Sequence, residues 1–213
     1  MKQYQSEFIR FALDCEALQF GQFKLKSGRI SPYFFNGGQF NSGQKLARLG
    51  SFYAQALVAA NIPTDILFGP AYKGIPLVCA LSIALADNHQ IDLPYAFNRK
   101  EAKDHGEGGR LVGAHLQGKI LIIDDVITAG TSVKESIQLF KQSNAEACGV
   151  LIALDRQERL ENNQSAIEMI ENNYKIPVIS IINFSHITKF VCDMNEFSRY
   201  KQQIIDYRQQ FGV

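Results

Sequence analysis

Two adjacent carboxylates, Asp124 and Asp125, stand two apolar residues (Val126 and Ile127) ahead of the run Thr128-Ala129-Gly130-Thr131-Ser132. The small residues and hydroxyls suit a phosphate monoester. Free backbone N–H groups at 129–132, the dipole of a following helix and the Thr128, Thr131 and Ser132 hydroxyls all address an anion, and Gly130 lets the backbone come close. Paired carboxylates beside that anion can accept hydrogen bonds from vicinal sugar hydroxyls, directly or through Mg2+, which prefers oxygen ligands and retains water. A ribose 5-phosphate would fill both halves. A lone Asp-Asp pair could equally cap a turn; the full run is far more specific than the pair.

Such residues need a strand to deliver them and a helix to receive them. Residues 120–123 are four consecutive apolar residues, as in a strand buried on both faces of a parallel sheet. Val133, Ile137 and Phe140 then follow at helical spacing. The chemistry therefore falls at the carboxyl end of a strand, just before a helix N-terminus, where open α/β sheets bind ligands. No Gly-x-x-x-x-Gly-Lys-Ser/Thr run and no Gly-x-Gly-x-x-Gly run occurs, so neither a P-loop nor a dinucleotide fingerprint is supported. A receiver-like phospho-acceptor domain would leave the Thr-Ala-Gly-Thr turn unexplained.

Other clusters fall at similar places. Residues 65–68 predict a short strand, ending in Gly69-Pro70-Ala71-Tyr72-Lys73-Gly74 ahead of a helix over 77–86. Backbone amides there could cradle a diphosphate, with Lys73 adding charge. After a strand-like 93–97, residues 98–110 carry almost no apolar side chain and three closely placed glycines. This predicts a mobile surface loop whose Arg99, Lys100, Lys103 and His105 could fold over a polyanion. A strand over 147–154 leads to Arg156, whose fork could take a carboxylate in bidentate geometry or pair with Asp155 or Glu158. Near the N-terminus, a helix over 4–18 precedes two short strands around a Ser27-Gly28 turn. The aromatic run Tyr33-Phe34-Phe35 is either core or a flat surface for a heterocyclic base, with Lys26 nearby for an anionic substituent. A helix over 42–60 started by Ser42, helical residues 165–173, a last strand over 178–182 and helices within 184–210 complete the elements.

At 213 residues the chain has the length of one α/β domain with an appended element, and 46% apolar with 20% charged residues is ordinary for a soluble globular protein. A net charge of +1 gives no electrostatic reason to expect nucleic acid or membrane as a partner. No apolar run reaches the ~20 residues that span a bilayer, and the N-terminus, interrupted by Glu7, Arg10, Asp14 and Glu16, does not read as a signal peptide. Cys15, Cys79, Cys148 and Cys192 lack Cys-x-x-Cys spacing, so buried free thiols in a reducing, cytoplasmic compartment are expected. His89, His115 and His186 form no catalytic constellation.

The central run resembles the phosphoribosyl pyrophosphate (PRPP) motif of type I phosphoribosyltransferases. Lys26-Ser27-Gly28-Arg29, residues 31–36 (Ser-Pro-Tyr-Phe-Phe-Asn), 68–76, 98–109 and 154–159 extend the resemblance over nearly the whole chain to the bacterial orotate phosphoribosyltransferases. The resemblance implies the type I fold: a central, mostly parallel sheet flanked by helices, with a small N-terminal hood over roughly 1–40 and a PRPP-binding core over 41–213, all one domain. It implies Mg2+-dependent transfer from PRPP to orotate. Asp124 and Asp125 would meet the ribose hydroxyls and residues Val126, Ile127, Thr128, Ala129, Gly130, Thr131 and Ser132 the 5-phosphate side. Tyr72 and Lys73 would lie at the diphosphate. Lys103, Arg99, Lys100 and His105 would form a loop closing on the leaving group in the partner's site of a homodimer. Phe34 and Phe35 would flank orotate, Lys26 would lie at the orotate and PRPP end, and Arg156 with Thr128 would hold orotate. A PRPP-sensing regulator on the same fold would need the central motif but not the basic loop or the base pocket. A purine or uracil phosphoribosyltransferase would have no use for a carboxylate-binding Arg.

Overall fold

The computed structural model describes residues 1–25, 27–103, 109–160 and 163–213, with residues 102, 103 and 109 described in backbone only. Six strands form the main sheet. They are β3 (Ile66–Gly69), β4 (Tyr95–Lys103), β5 (Gly109–Gly113), β6 (Gly118–Asp124), β7 (Ala145–Asp155) and β8 (Val178–Asn183), in the order β5-β4-β3-β6-β7-β8. Only the edge strand β5 is antiparallel to its neighbour. From β3 the chain steps to β4 on one side and afterwards to β6, β7 and β8 on the other. The strand order therefore reverses between β3 and β6, the place where such sheets open a ligand crevice.

The apolar run of β6 behaves as its composition requires. Successive strand residues point to opposite faces: Leu121 and Ile123 enter one core cluster, Ile120 and Ile122 the other, and all four are fully buried. Each such side chain contributes roughly 1.5–3 kcal/mol relative to exposure. The first face is covered by α1 (Gln3–Asp14), α2 (Gly43–Ala60), α3 (Gly74–His89), α6 (Phe184–Asp193) and α7 (Lys201–Phe211); the second by α4 (Thr131–Phe140) and α5 (Ala166–Tyr174). Strands β1 (Leu18–Lys24) and β2 (Ile30–Phe35) form a separate antiparallel pair. Their Leu18 and Tyr33 join the first cluster, so the hood and the sheet share that core.

Three expectations from the sequence need correction. The helix expected over 4–18 stops at Asp14, because Glu16 takes a left-handed conformation (φ 58°) and Leu18 pairs with Phe35 as the start of β1. Gly21 accordingly lies within a strand. The loop expected over 98–110 is largely an edge hairpin: β4 runs to Lys103 and β5 starts at Gly109, with Asn98 paired to Leu111. Polar edge strands of this kind are held by the backbone ladder and bury little on their outer side. The cysteines are free as expected, but only Cys15 is buried, while Cys192 is exposed. Ser42 does cap α2, its hydroxyl accepting from the Lys45 amide at 3.3 Å. Among the described residues no helix is long and apolar enough to cross a membrane.

Candidate active site

Asp124 closes β6 and is held on every side. Its Oδ2 accepts from Ser132 Oγ at 2.8 Å, its Oδ1 from the Asp125 amide at 2.9 Å, and its carbonyl from the buried Tyr53 hydroxyl of α2 at 2.7 Å. Burial pushes the Asp124 carboxyl up from its ordinary range; the Ser132 hydroxyl pulls it partly back, and Asp125 adds to the rise. Asp125 lines the cleft. Its Oδ1 accepts from the Val126 amide at 2.9 Å and its Oδ2 from Lys73 Nζ at 2.7 Å, an ion pair bridging the crevice from the loop after β3 to the end of β6.

The turn that follows has the geometry its composition demands. Gly130 sits at φ 70°, a left-handed conformation, and an added Cβ would lie 3.2 Å from Ile170. No side chain caps α4, so the first-turn amides are left for a ligand, with Thr128, Ala129 and Thr131 exposed beside them. Ser132 departs from the expectation that its hydroxyl faces the anion, being committed to Asp124. Ile127 is buried and anchors the turn to the second core cluster.

On the opposite lip, the Ala71 amide donates to Asn98 Oδ1 at 2.8 Å, and the Ala71–Tyr72 peptide is cis. Tyr72 is exposed, with Lys100 Nζ 5.1 Å from its ring centroid. Arg99 lies half-buried on the adjoining strand. The structure thus gathers Tyr72, Lys73 and Lys100 on one rim. Lys26, His105 and the Lys103 side chain lie outside the described residues.

A cleft of about 1100 Å³ runs from Lys73, Asp125 and residues 126–129 to the end of β7, roofed by hood residues that include Phe34 and Phe35. Phe34 is 39% exposed and stacks on Phe23 at 5.5 Å; Phe35 is 8% exposed and packs toward Phe40. At the far end stands Arg156. Its Nε and Nη2 both donate to Glu158 Oε1, at 3.0 and 2.6 Å, and Nη2 also reaches Ser31 Oγ at 3.2 Å. Its guanidinium carbon lies 4.4 Å from the Tyr33 ring centroid. Burial opposes its charge, but Tyr33, Glu158 and Tyr207 more than restore it, and its pKa is raised from the ordinary value. The side edge of the fork is therefore occupied by the pair with Glu158, and among the described residues no acceptor holds Nη1. A ligand carboxylate would meet Arg156 end-on. Among the described residues no group of three or more His, Cys, Asp or Glu forms a metal site.

Sequence reading missed three contributors. Tyr53 anchors Asp124 from α2, and nothing in its local pattern marks it apart from core. Ser31 and Tyr207 reach the Arg156–Glu158 pair from elements 125 and 49 residues away. Glu158 itself, two positions beyond Arg156, was visible as a pairing partner.

A phosphoribosyl transferase domain model matches residues 36–182, which include Tyr72, Lys73, the Asp124–Ser132 run and Arg156. The orotate phosphoribosyltransferase of Stutzerimonas stutzeri is 55% identical over 215 residues, spanning all of both chains. That of Hahella chejuensis is 57% identical over 213 residues, covering 100% of this chain and 99% of its own. The crystal structure of the orotate phosphoribosyltransferase of Francisella tularensis superposes with a TM-score of 0.89 at 46% identity, over 97% of this chain and 100% of that one. A Leishmania donovani UMP synthase shares the fold at 20% identity, with a TM-score of 0.73 over 97% of this chain and 42% of its own.

Proposed function

The chain belongs to the phosphoribosyl transferase family and, within it, to the orotate phosphoribosyltransferases, and from this premise we propose that its rim cleft joins orotate to the ribose 5-phosphate of PRPP. The products are orotidine 5'-monophosphate and diphosphate, a step of pyrimidine (UMP) biosynthesis. One observation carries the assignment of the site: the turn after β6, Arg156 and Phe34 line the same cleft. A PRPP sensor needs only the first, and a purine or uracil enzyme has no carboxylate for the second.

As the C1–O bond breaks, positive charge develops on the ribose and negative charge on the departing diphosphate, so positioning and electrostatics supply the catalysis. The open amides of α4 with Thr128, Ala129, Gly130 and Thr131 hold the 5-phosphate. Asp125 Oδ2 takes the ribose hydroxyls, with Asp124 fixing the strand end behind it, and Lys73, released from Asp125, turns with Tyr72 to the diphosphate. Phe34 flanks the heterocycle, while Phe35, in the core on the other side of β2, backs the strand that carries it. Lys26 is assigned to the PRPP end of orotate, and Arg156 with Thr128 holds its carboxylate. Orotate nitrogen attacks C1 itself, so no side-chain nucleophile is needed.

Mg2+ would be held mainly by the oxygens of PRPP, with Asp125, and Asp124 behind it, close by; a carboxylate beside substrate oxygens and water suits that ion. When bound with PRPP, Mg2+ would supply neutralisation of the diphosphate charge. The family role assigns Lys103, with Arg99, Lys100 and His105, to the leaving group across a homodimer. A cytoplasmic enzyme, folded as one unit with residues 1–40 as hood over 41–213, completes the reading.

Purified protein incubated with Mg2+, PRPP and orotate should consume orotate, followed by its absorbance, while uracil and hypoxanthine in parallel are untouched. Turnover of either other base would remove Arg156 from base selection. PRPP binding without turnover of any base would make the protein a sensor.

A further inference from the structure

We propose that Glu158 is a positioning residue for orotate selection, aiming Arg156 into the cleft and being itself fixed by the C-terminal helix. The inference rests on the reading that Arg156 meets the orotate carboxylate. Glu158 Oε1 accepts three hydrogen bonds: two from Arg156, and one from the Tyr207 hydroxyl of α7 at 3.1 Å. Both members of the ion pair are mostly buried, with 15% and 14% of their side chains exposed, so solvent screens the pair weakly and loss of either partner leaves the other poorly compensated.

The segment carrying Glu158 is strapped as well. Glu158 forms an antiparallel bridge with Gly212, the Arg159 amide donates to the Phe211 carbonyl at 2.8 Å, and the Val213 amide donates to the Gln157 carbonyl at 3.0 Å. Tyr207 is in turn wedged between Phe184, at 6.1 Å, and Phe211, at 4.9 Å. The consequence is directional. With Nε and Nη2 taken by one carboxylate oxygen and the guanidinium lying over Tyr33, the fork has a single orientation, and Nη1 is the donor it offers to a substrate. An Arg on this loop without Glu158 would keep its charge but lose its aim, so binding of the planar carboxylate would fall while PRPP, held at the other end of the cleft, would not notice.

The test is steady-state kinetics of Glu158→Gln and Tyr207→Phe, each with orotate and PRPP varied in turn. Glu158→Gln should raise the KM for orotate about tenfold, the scale of one charge-assisted hydrogen bond, and leave the KM for PRPP within about twofold. Tyr207→Phe, which keeps the ring packing, should move the same constant in the same direction by less. In an Arg156→Ala background, Glu158→Gln should no longer change the ratio of the two KM values, because there is nothing left to aim. If Arg156→Ala itself leaves orotate KM unchanged, the carboxylate reading of Arg156 fails. If Arg156→Ala raises it while Glu158→Gln either leaves it alone or raises both constants equally, the reading stands and Glu158 is only a structural counter-ion.

Discussion

Lys73 Nζ and Asp125 Oδ2, 52 positions apart in the chain, stand 2.7 Å apart across the crevice between β3 and β6. The Lys73 side chain is 66% exposed and that of Asp125 14%, so solvent screens the pair from the lysine side and holds its worth to ~1 kcal/mol. The contact therefore stores two opposite charges ready for a ligand that bears complements to both. Lys73→Ala should shift the unfolding midpoint by no more than about 1 kcal/mol equivalent while raising the KM for PRPP at least about tenfold through a lost charge-assisted contact. Chemical denaturation and PRPP saturation curves measured on the same preparation separate the two. A large loss of stability would mean that the pair holds the fold.

Asp124 gives a pH prediction with a definite sign. Its carboxyl is raised above its ordinary value of 3.8, first by burial, so the folded state binds a proton more tightly than the unfolded chain. In the window between those two values the folded state carries the extra proton, and stability falls as pH rises through it. Asp124→Asn removes that titration. Relative to the parent, the variant should melt higher at neutral pH, lose this advantage below pH 3.8, and be poorly active throughout. Melting curves over that range decide; a variant less stable at neutral pH would show that the Ser132 and Asp125 hydrogen bonds outweigh the burial of charge.

What could be read from the sequence divides by distance along the chain. The strand, paired carboxylates and small-residue turn over 120–132 were legible because each part is local: a fully apolar run, then small hydroxylated residues around Gly130, then helical spacing. Ser42 was legible as a cap for the same reason. The end of α1 was not, since Leu18 satisfies a helical periodicity equally well and only its pairing with Phe35 decides for a strand. Nor was the β4–β5 hairpin, whose polar residues 98–103 look like a loop until Leu111 supplies a ladder partner for Asn98. The pairing of Arg156 with Glu158 was on view as an alternative, but Tyr207 and Ser31, which fix it, come from elements that no local pattern connects to it.

Gly74, where the loop after β3 enters α3, has no room for a side chain. An added Cβ would lie 2.7 Å from Pro70 Cδ, 2.8 Å from the Gly69 carbonyl carbon and 2.9 Å from the Ile123 carbonyl oxygen. Backbone atoms cannot swing aside, so Gly74→Ala must push the loop bearing Tyr72 and Lys73 away from β6. Overpacking of this kind costs ~1–3 kcal/mol, and PRPP binding should weaken along with stability. Gly43→Ala, at the start of α2 with open space around it, serves as the control and should cost neither. Isothermal titration with PRPP alongside thermal melts would test both; unchanged PRPP affinity in Gly74→Ala would show that loop placement is not what the glycine secures.

Adjacent residues on β2 separate binding from stability. Phe35, 8% exposed, lies in the core beside Phe40, whereas Phe34, 39% exposed, points from the other side of the strand and stacks on Phe23. Truncating a buried Phe costs ~3–5 kcal/mol through lost transfer energy and the cavity left behind, so Phe35→Ala should unfold at markedly lower denaturant. Phe34→Ala removes a half-exposed ring and should cost about 1 kcal/mol or less, but it takes away one face of the proposed base site, so orotate KM should rise with PRPP KM little changed. If Phe34→Ala binds orotate as the parent does, the exposed ring of β2 takes no part in holding the heterocycle, and the alternation of β2 serves packing rather than recognition.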